Sequence, residues 1–153
     1  MTLNNINIAN VSVRQISSTV DAAFCKTNTS YNPTNTLPGG VGTLSTSVLD
    51  PGFGLAVTAF GTQSGTRSGR VESTTAAISI HDYDSGKNYR LTNLIGVPIP
   101  SDAGDSGGCL CSYRTQSNII DTCGIHIGRS DDGKWAVFCK ASVVNSSLSV
   151  ARY

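Results

Sequence analysis

Short strand-like runs follow one another along this chain, broken at close intervals by Gly, Asn, Asp and Pro, and that spacing leaves room for little besides antiparallel β-structure. Residues 6–16 alternate well enough for a strand, and 21–26 form a second short run. The polar stretch 28–42 reads as a loop or linker. Strands are expected at 54–60 and 71–80, with a glycine-rich turn between them. Hairpins are expected around Asp84-Ser85-Gly86-Lys87 and around 115–118, the latter joining 109–113 to 119–127. Asp131-Asp132-Gly133 turns the chain into a last strand at 134–139, and only 141–150 could be helical. The sequence predicts an all-β domain, a barrel or a sandwich.

The 153 residues are enough for one domain. Charged residues are 14% of the chain, against about a quarter in an average globular protein. Small polar residues take their place, as a turn-rich β-protein requires. A net charge of +1, with no basic cluster, gives no electrostatic ground for nucleic acid or an anionic membrane as partner. No apolar run approaches the roughly 20 residues of a membrane helix. The start, Met1-Thr2-Leu3-Asn4-Asn5, lacks the basic-then-apolar pattern of a signal peptide. Asn-x-Ser/Thr matches at Asn10, Asn28 and Asn145 are too easily met in so polar a chain to fix a compartment. The five cysteines, Cys25, Cys109, Cys111, Cys123 and Cys139, cannot all pair within one chain. They read as small buried hydrophobes or as one disulfide, with Cys123 a candidate. None has zinc-finger spacing, so no metal is expected. Cys109 and Cys111 are alternate residues and face the same side of a strand.

One loop carries chemistry. In Gly104-Asp105-Ser106-Gly107-Gly108, a hydroxyl sits among glycines. A serine is a weak nucleophile until a base takes its proton, and the oxyanion it generates needs aimed backbone N–H donors. Glycine two residues before the serine lets the backbone turn so that its N–H and the serine's can converge. The acid between them can fold inward and fix the loop. An ordinary surface turn uses the same residue types, so the neighbouring segments matter.

Those segments resemble the chymotrypsin/trypsin-like serine peptidase family, especially its compact bacterial members. The resemblance rests on Gly61-Thr62-Gln63-Ser64-Gly65-Thr66-Arg67-Ser68-Gly69-Arg70-Val71 ahead of the serine. It continues in Cys109-Leu110-Cys111, Cys123-Gly124-Ile125-His126-Ile127-Gly128 and Trp135-Ala136-Val137-Phe138 behind it. It spans roughly residues 17–150 and implies the C-terminal Greek-key barrel of a double-barrel fold, residues 40–153, with residues 1–30 as remnant strands of the N-terminal barrel. It further implies an endopeptidase acting on polypeptide through an acyl-enzyme, with no cofactor. Ser106 is then the nucleophile, and the N–H groups of Gly104 and Ser106 form the oxyanion hole. Asp21, opening the apolar run Asp21-Ala22-Ala23-Phe24, is the carboxylate that orients the base.

The base itself has no match. In the family's order, His-Asp-Ser, it precedes the aspartate, and residues 1–20 contain no histidine. His81 lies beside a hairpin turn and reads as a surface residue. The expectation is that a segment or chain outside this sequence supplies the histidine; the rivals are a non-catalytic homologue that binds, and a viral polyprotein-processing enzyme. The strand Gly124-Ile125-His126-Ile127-Gly128 looks like the specificity strand of glutamate-specific peptidases and picornavirus-type proteases. That likeness implies that His126, with Ser101, Ile127 and Gly128, lines a pocket selecting Glu or Gln. A strand histidine satisfied by a core partner is the plainer reading. Pro100 stands where a trypsin-like pocket would have its aspartate, which argues against a preference for Lys or Arg.

Overall fold

A computed structural model describes residues 2–3, 6–7, 9–28, 34–37, 42–114 and 117–150. Parts of the expected 28–42 loop and of the 115–118 turn lie outside the described residues. The elements run β1 (Thr2–Leu3), β2 (Ile6–Asn7), β3 (Ala9–Ile16), β4 (Asp21–Thr27), β5 (Thr43–Val48), β6 (Ala56–Gly61) and β7 (Gly65–Arg70). They continue with β8 (Ser73–Asp82), β9 (Lys87–Val97), β10 (Cys109–Tyr113), β11 (Ile119–Arg129), β12 (Ala136–Lys140) and the helix α1 (Ala141–Leu148). No described helix is long and apolar enough to cross a membrane.

The main sheet has the order β7-β6-β10-β11-β12-β9-β8 with β5 added on β11. The meander β10-β11-β12 is inserted between the hairpins β6–β7 and β8–β9, a Greek-key arrangement. The sheet curls around Val57, Val71, Ile95, Val97, Ile99, Leu110, Cys123 and Phe138, drawn from five of its strands and the turns beside them. A second apolar layer lies between the other face of β9 and β12, the helix and the start of β4. There Val20, Leu91, Leu94, Val137, Cys139, Val144 and Leu148 are buried together.

Besides β1, where no strand was expected, and the division of 6–16 between β2 and β3, two elements depart from the sequence reading. Residues 65–70, expected in a glycine-rich turn, form a strand paired with β6 from Gly61↔Gly65 to Ala56↔Arg70. The strand is at the sheet's edge and mostly exposed, so no apolar alternation marks it. β5 is the other, and it runs parallel to β11 in a sheet expected to be antiparallel throughout. β12 pairs only with the second half of β11, from Gly124 to Arg129. The first half keeps an open backbone edge, and β5 satisfies it at Ile119↔Thr43 and Ile120↔Leu44.

β3 and β4 form a separate two-stranded sheet. Its turn is anchored to the barrel. Val20 has no solvent exposure, the Thr92 N–H donates to the Ser18 carbonyl (2.7 Å), and Arg14 pairs with Asp82 (3.0 Å) and Asp84 (2.6 Å) of the β8–β9 hairpin. Asp21, the next residue after Val20, is thereby fixed in place against the barrel.

Candidate active site

The loop from β9 to β10 carries Ser106, and a buried charge shapes it. Asp105 is 3% exposed. Its carboxylate accepts from the Gln63 N–H (2.8 Å), the Ser64 N–H (3.0 Å), the Ser64 hydroxyl (2.5 Å) and the Asp102 N–H (2.9 Å). Burial alone would raise its pKa. The donors outweigh that, led by the Asp102 N–H and the Ser64 hydroxyl, and hold the group well below the usual carboxylate range. The acid therefore folds inward, as the sequence suggests, and its fixing partners are the turn between β6 and β7. Sequence reasoning did not assign Gln63 and Ser64 this role; their place in the Gly61–Val71 segment was the available signal.

Gly104 (φ 104°) and Gly107 (φ 86°) adopt left-handed conformations on either side of Asp105-Ser106. A Cβ at Gly104 would also stand 2.7 Å from Gln63 Cγ. The N–H groups of Asp105, Gly107 and Gly108 donate to Asp102, His126 and Asp105 carbonyls, respectively. Among the described residues, no acceptor engages the N–H of Gly104 or Ser106. These two donors are left for something else to occupy.

Ser106 is exposed and borders a cavity of about 420 Å³ that is also lined by Arg14, Asp21, Ile125, His126 and Ile127. A neighbouring space of about 470 Å³ shares Arg14, Asp21, Ser106 and Ile127 and adds His81, Asp82 and Tyr83. The hairpin β3–β4 and the barrel thus bring Asp21 and Ser106 to one space, although 85 positions separate them (106 − 21). Asp21 is half-buried; desolvation raises its pKa, Arg14 pulls it down, and Asp82 pushes it up again. Arg14, which sequence reasoning missed, lines both spaces; its signal was only a lone charge on an otherwise uncharged, alternating strand.

His126 is 6% exposed, with its ring edge on Phe138 (centroids 5.2 Å apart). Its Nε2 shares a 2.7 Å hydrogen bond with the buried Ser101 hydroxyl. Nδ1 is buried and has no partner among the described residues. Burial depresses its pKa, and Asp105 offsets this in part, so the neutral ring is favoured. His126 borders both the cavity beside Ser106 and a small hollow of about 20 Å³ that Ser101 and Gly108 also line. That hollow has room for about one water molecule. Ser101 is held in turn by Arg129, which donates to its carbonyl (2.8 Å) and pairs with Asp102 (2.9 Å). Ile127 borders both larger spaces, while Gly128 lies on the same strand beyond them. His81 is exposed; its Nδ1 bonds Asn88 (2.8 Å) and its ring packs edge-on to Tyr83. Neither ring is hydrogen-bonded to Ser106.

All five cysteines are thiols, and among the described residues no group of three or more His, Cys, Asp or Glu converges as for a metal ion.

No family model and no curated protein matches the sequence. Solved structures do match. A glutamic-acid-specific serine protease that uses a histidine triad in substrate binding has a TM-score of 0.71 at 20% identity, covering 95% of this chain and 74% of that one. The Nocardiopsis protease NAPase has 0.72 at 21%, covering 91% and 71%. Protease A of Thermobifida fusca has 0.72 at 21%, covering 94% and 73%.

Proposed function

We propose that this chain, which has the chymotrypsin-like fold of bacterial serine proteases, is the serine-bearing part of an endopeptidase whose histidine comes from outside this sequence. The observation that carries the proposal is the shared cavity. Asp21 and Ser106 face one open space, and no imidazole within it bonds the hydroxyl. A histidine delivered there could accept the Ser106 proton while Asp21 holds its far N–H and stabilises the imidazolium. The N–H groups of Gly104 and Ser106 are the oxyanion donors. On this reading residues 1–30 are remnant strands of one barrel and residues 40–153 are the other barrel.

His126 serves selection. It borders the cavity beside Ser106, and its ring, bonded through Nε2 to the buried Ser101 hydroxyl, would have to turn toward that cavity to meet a Glu or Gln side chain before the scissile bond. The hollow beside Ser101 is too small for that side chain, so it would approach from the 420 Å³ side.

The test has two arms. A fluorophosphonate probe on the chain alone should label Ser106 slowly, because losing a triad member costs about 10⁴-fold or more. Rapid stoichiometric labelling would mean that another group is the base. In the second arm, an upstream barrel carrying a histidine is supplied in cis or as a second chain. Labelling and peptide cleavage should then appear, with preference for Glu or Gln, and Ser106→Ala should abolish both. If the chain stays inert and still binds peptides, it is a binding homologue. His126→Ala should lose about 1–3 kcal/mol of side-chain selectivity.

A further inference from the structure

The sulfurs of Cys109 and Cys111 stand 3.1 Å apart at the start of β10. They are the first and third residues of that strand, so their side chains leave the same face. The neighbouring strand is irregular at this point: Leu110 pairs with Gly124 and Cys111 with Thr122, so Cys123 is skipped. The Cys123 side chain lies in the barrel core, with its sulfur toward the Asp121 carbonyl (3.8 Å). Cys109 is partly exposed whereas Cys111 is fully buried. One thiol can therefore meet a reagent, and the other waits behind it.

We propose that Cys109 and Cys111 form a redox pair that closes reversibly to a disulfide and, in closing, disturbs the Ser106 loop. The oxidant is a low-molecular-weight disulfide, RSSR. The Cys109 thiolate attacks one sulfur, the RS–SR bond breaks, and one RS⁻ leaves and takes up a proton. The Cys111 thiolate then attacks the Cys109 sulfur of the mixed disulfide and expels the second RS⁻, which is protonated in turn. Two thiols of the protein are oxidised and one RSSR is reduced to two RSH. The sulfurs need move only about 1 Å closer to reach bonding distance. A bridge between residues two apart in a strand departs from relaxed geometry, which makes it readily reducible and hence responsive to the thiol poise. Buried thiols react slowly as such, so entry through Cys109 sets the rate.

The coupling to the loop is short. Gly108 immediately precedes the pair; its N–H donates to Asp105 (2.9 Å) and its carbonyl accepts from the His126 N–H (2.8 Å). Drawing the ends of Cys109-Leu110-Cys111 together pulls on both bonds.

Trypsin isolates the pair, because residues 91–114 contain Cys109 and Cys111 and no other cysteine, and residues 115–129 contain Cys123. The chain is equilibrated with glutathione at graded ratios of oxidised to reduced, acid-quenched, alkylated and digested. The 91–114 peptide should become lighter by two hydrogens, two of the five thiols should escape alkylation, and dithiothreitol should reverse both changes. Cys111→Ser should instead hold glutathione on Cys109. Hydrogen exchange at 104–108 should speed up severalfold in the oxidised wild-type chain. Three results would overturn the redox pair: a peptide that stays dithiol at every ratio, a stable glutathione adduct on wild-type Cys109, or a cross-link from 91–114 to Cys123. Closure with unchanged exchange at 104–108 would overturn the coupling.

Discussion

At Asp105, a negative charge almost without water is held by three main-chain N–H groups, of Gln63, Ser64 and Asp102, and by the Ser64 hydroxyl. Asp105→Ala strands those donors in the interior, and the chain should lose about 3 kcal/mol of unfolding free energy in a urea titration. The carboxylate's pKa is depressed by folding, so its contribution is complete above the ordinary carboxylate pKa. It is lost only as pH falls below that value toward the lower, folded one. His126 acts earlier. Its folded pKa lies below the reference 6.5, because burial disfavours the imidazolium. Its contribution is therefore present above pH 6.5 and declines as pH falls through the folded value. The melting temperature should drop between pH 7 and pH 5, and His126→Leu should flatten that slope whatever its own effect at pH 7. The serine and the inward acid were legible in the sequence because five consecutive residues carry them. The donors to Asp105 were not, since Ser64 is 41 positions away and only the packed fold makes them neighbours.

The hairpin β3–β4 is the element on which Asp21 depends. It adds no strand to the barrel, and its hold is a plug and a clasp. The plug is Val20, wholly enclosed by Leu91, Leu94, Val137 and the helix residues Val144 and Leu148. Val20→Ala should cost about 2 kcal/mol, read from chemical denaturation. The clasp is the exposed pairing of Arg14 with Asp82 and Asp84, which salt screens. Arg14→Ala, or high salt on the wild type, should accelerate amide exchange in residues 9–27 while leaving β9–β12 protected. The hairpin was legible as one alternating run, 6–16, and a second short run, 21–26. β7 was not, because an exposed edge strand of Gly, Thr, Arg and Ser has the composition of a turn and is made a strand only by pairing with β6.

Over the whole molecule, apolar surface is unevenly spent. The barrel buries a core of large side chains but leaves Phe53, Tyr83, Tyr113 and Ile119 exposed, and the hairpin exposes Val11 (59%), Val13 (41%) and Phe24 (41%) close together on a sheet of two strands. Such an edge invites pairing with another chain. Sedimentation should show association that grows with concentration, and Phe24→Lys should shift it toward monomer. The all-β architecture and its hairpins were legible from strand spacing, since turns punctuate antiparallel neighbours. The parallel β5 was not: what recruits it is the unpaired half of β11, a property of the assembled sheet. β11 also divides its labour at one residue. The main chain of His126 fastens the Ser106 loop through Gly107 (2.9 Å) and Gly108 (2.8 Å), while the side chain of the same residue bonds Ser101 and packs on Phe138. Any non-proline residue at position 126 keeps both main-chain fastenings. If residue 126 selects as proposed, descendants of this sequence can trade one side chain there for another without rebuilding the loop, so selectivity can drift between lineages while the loop stays as it is.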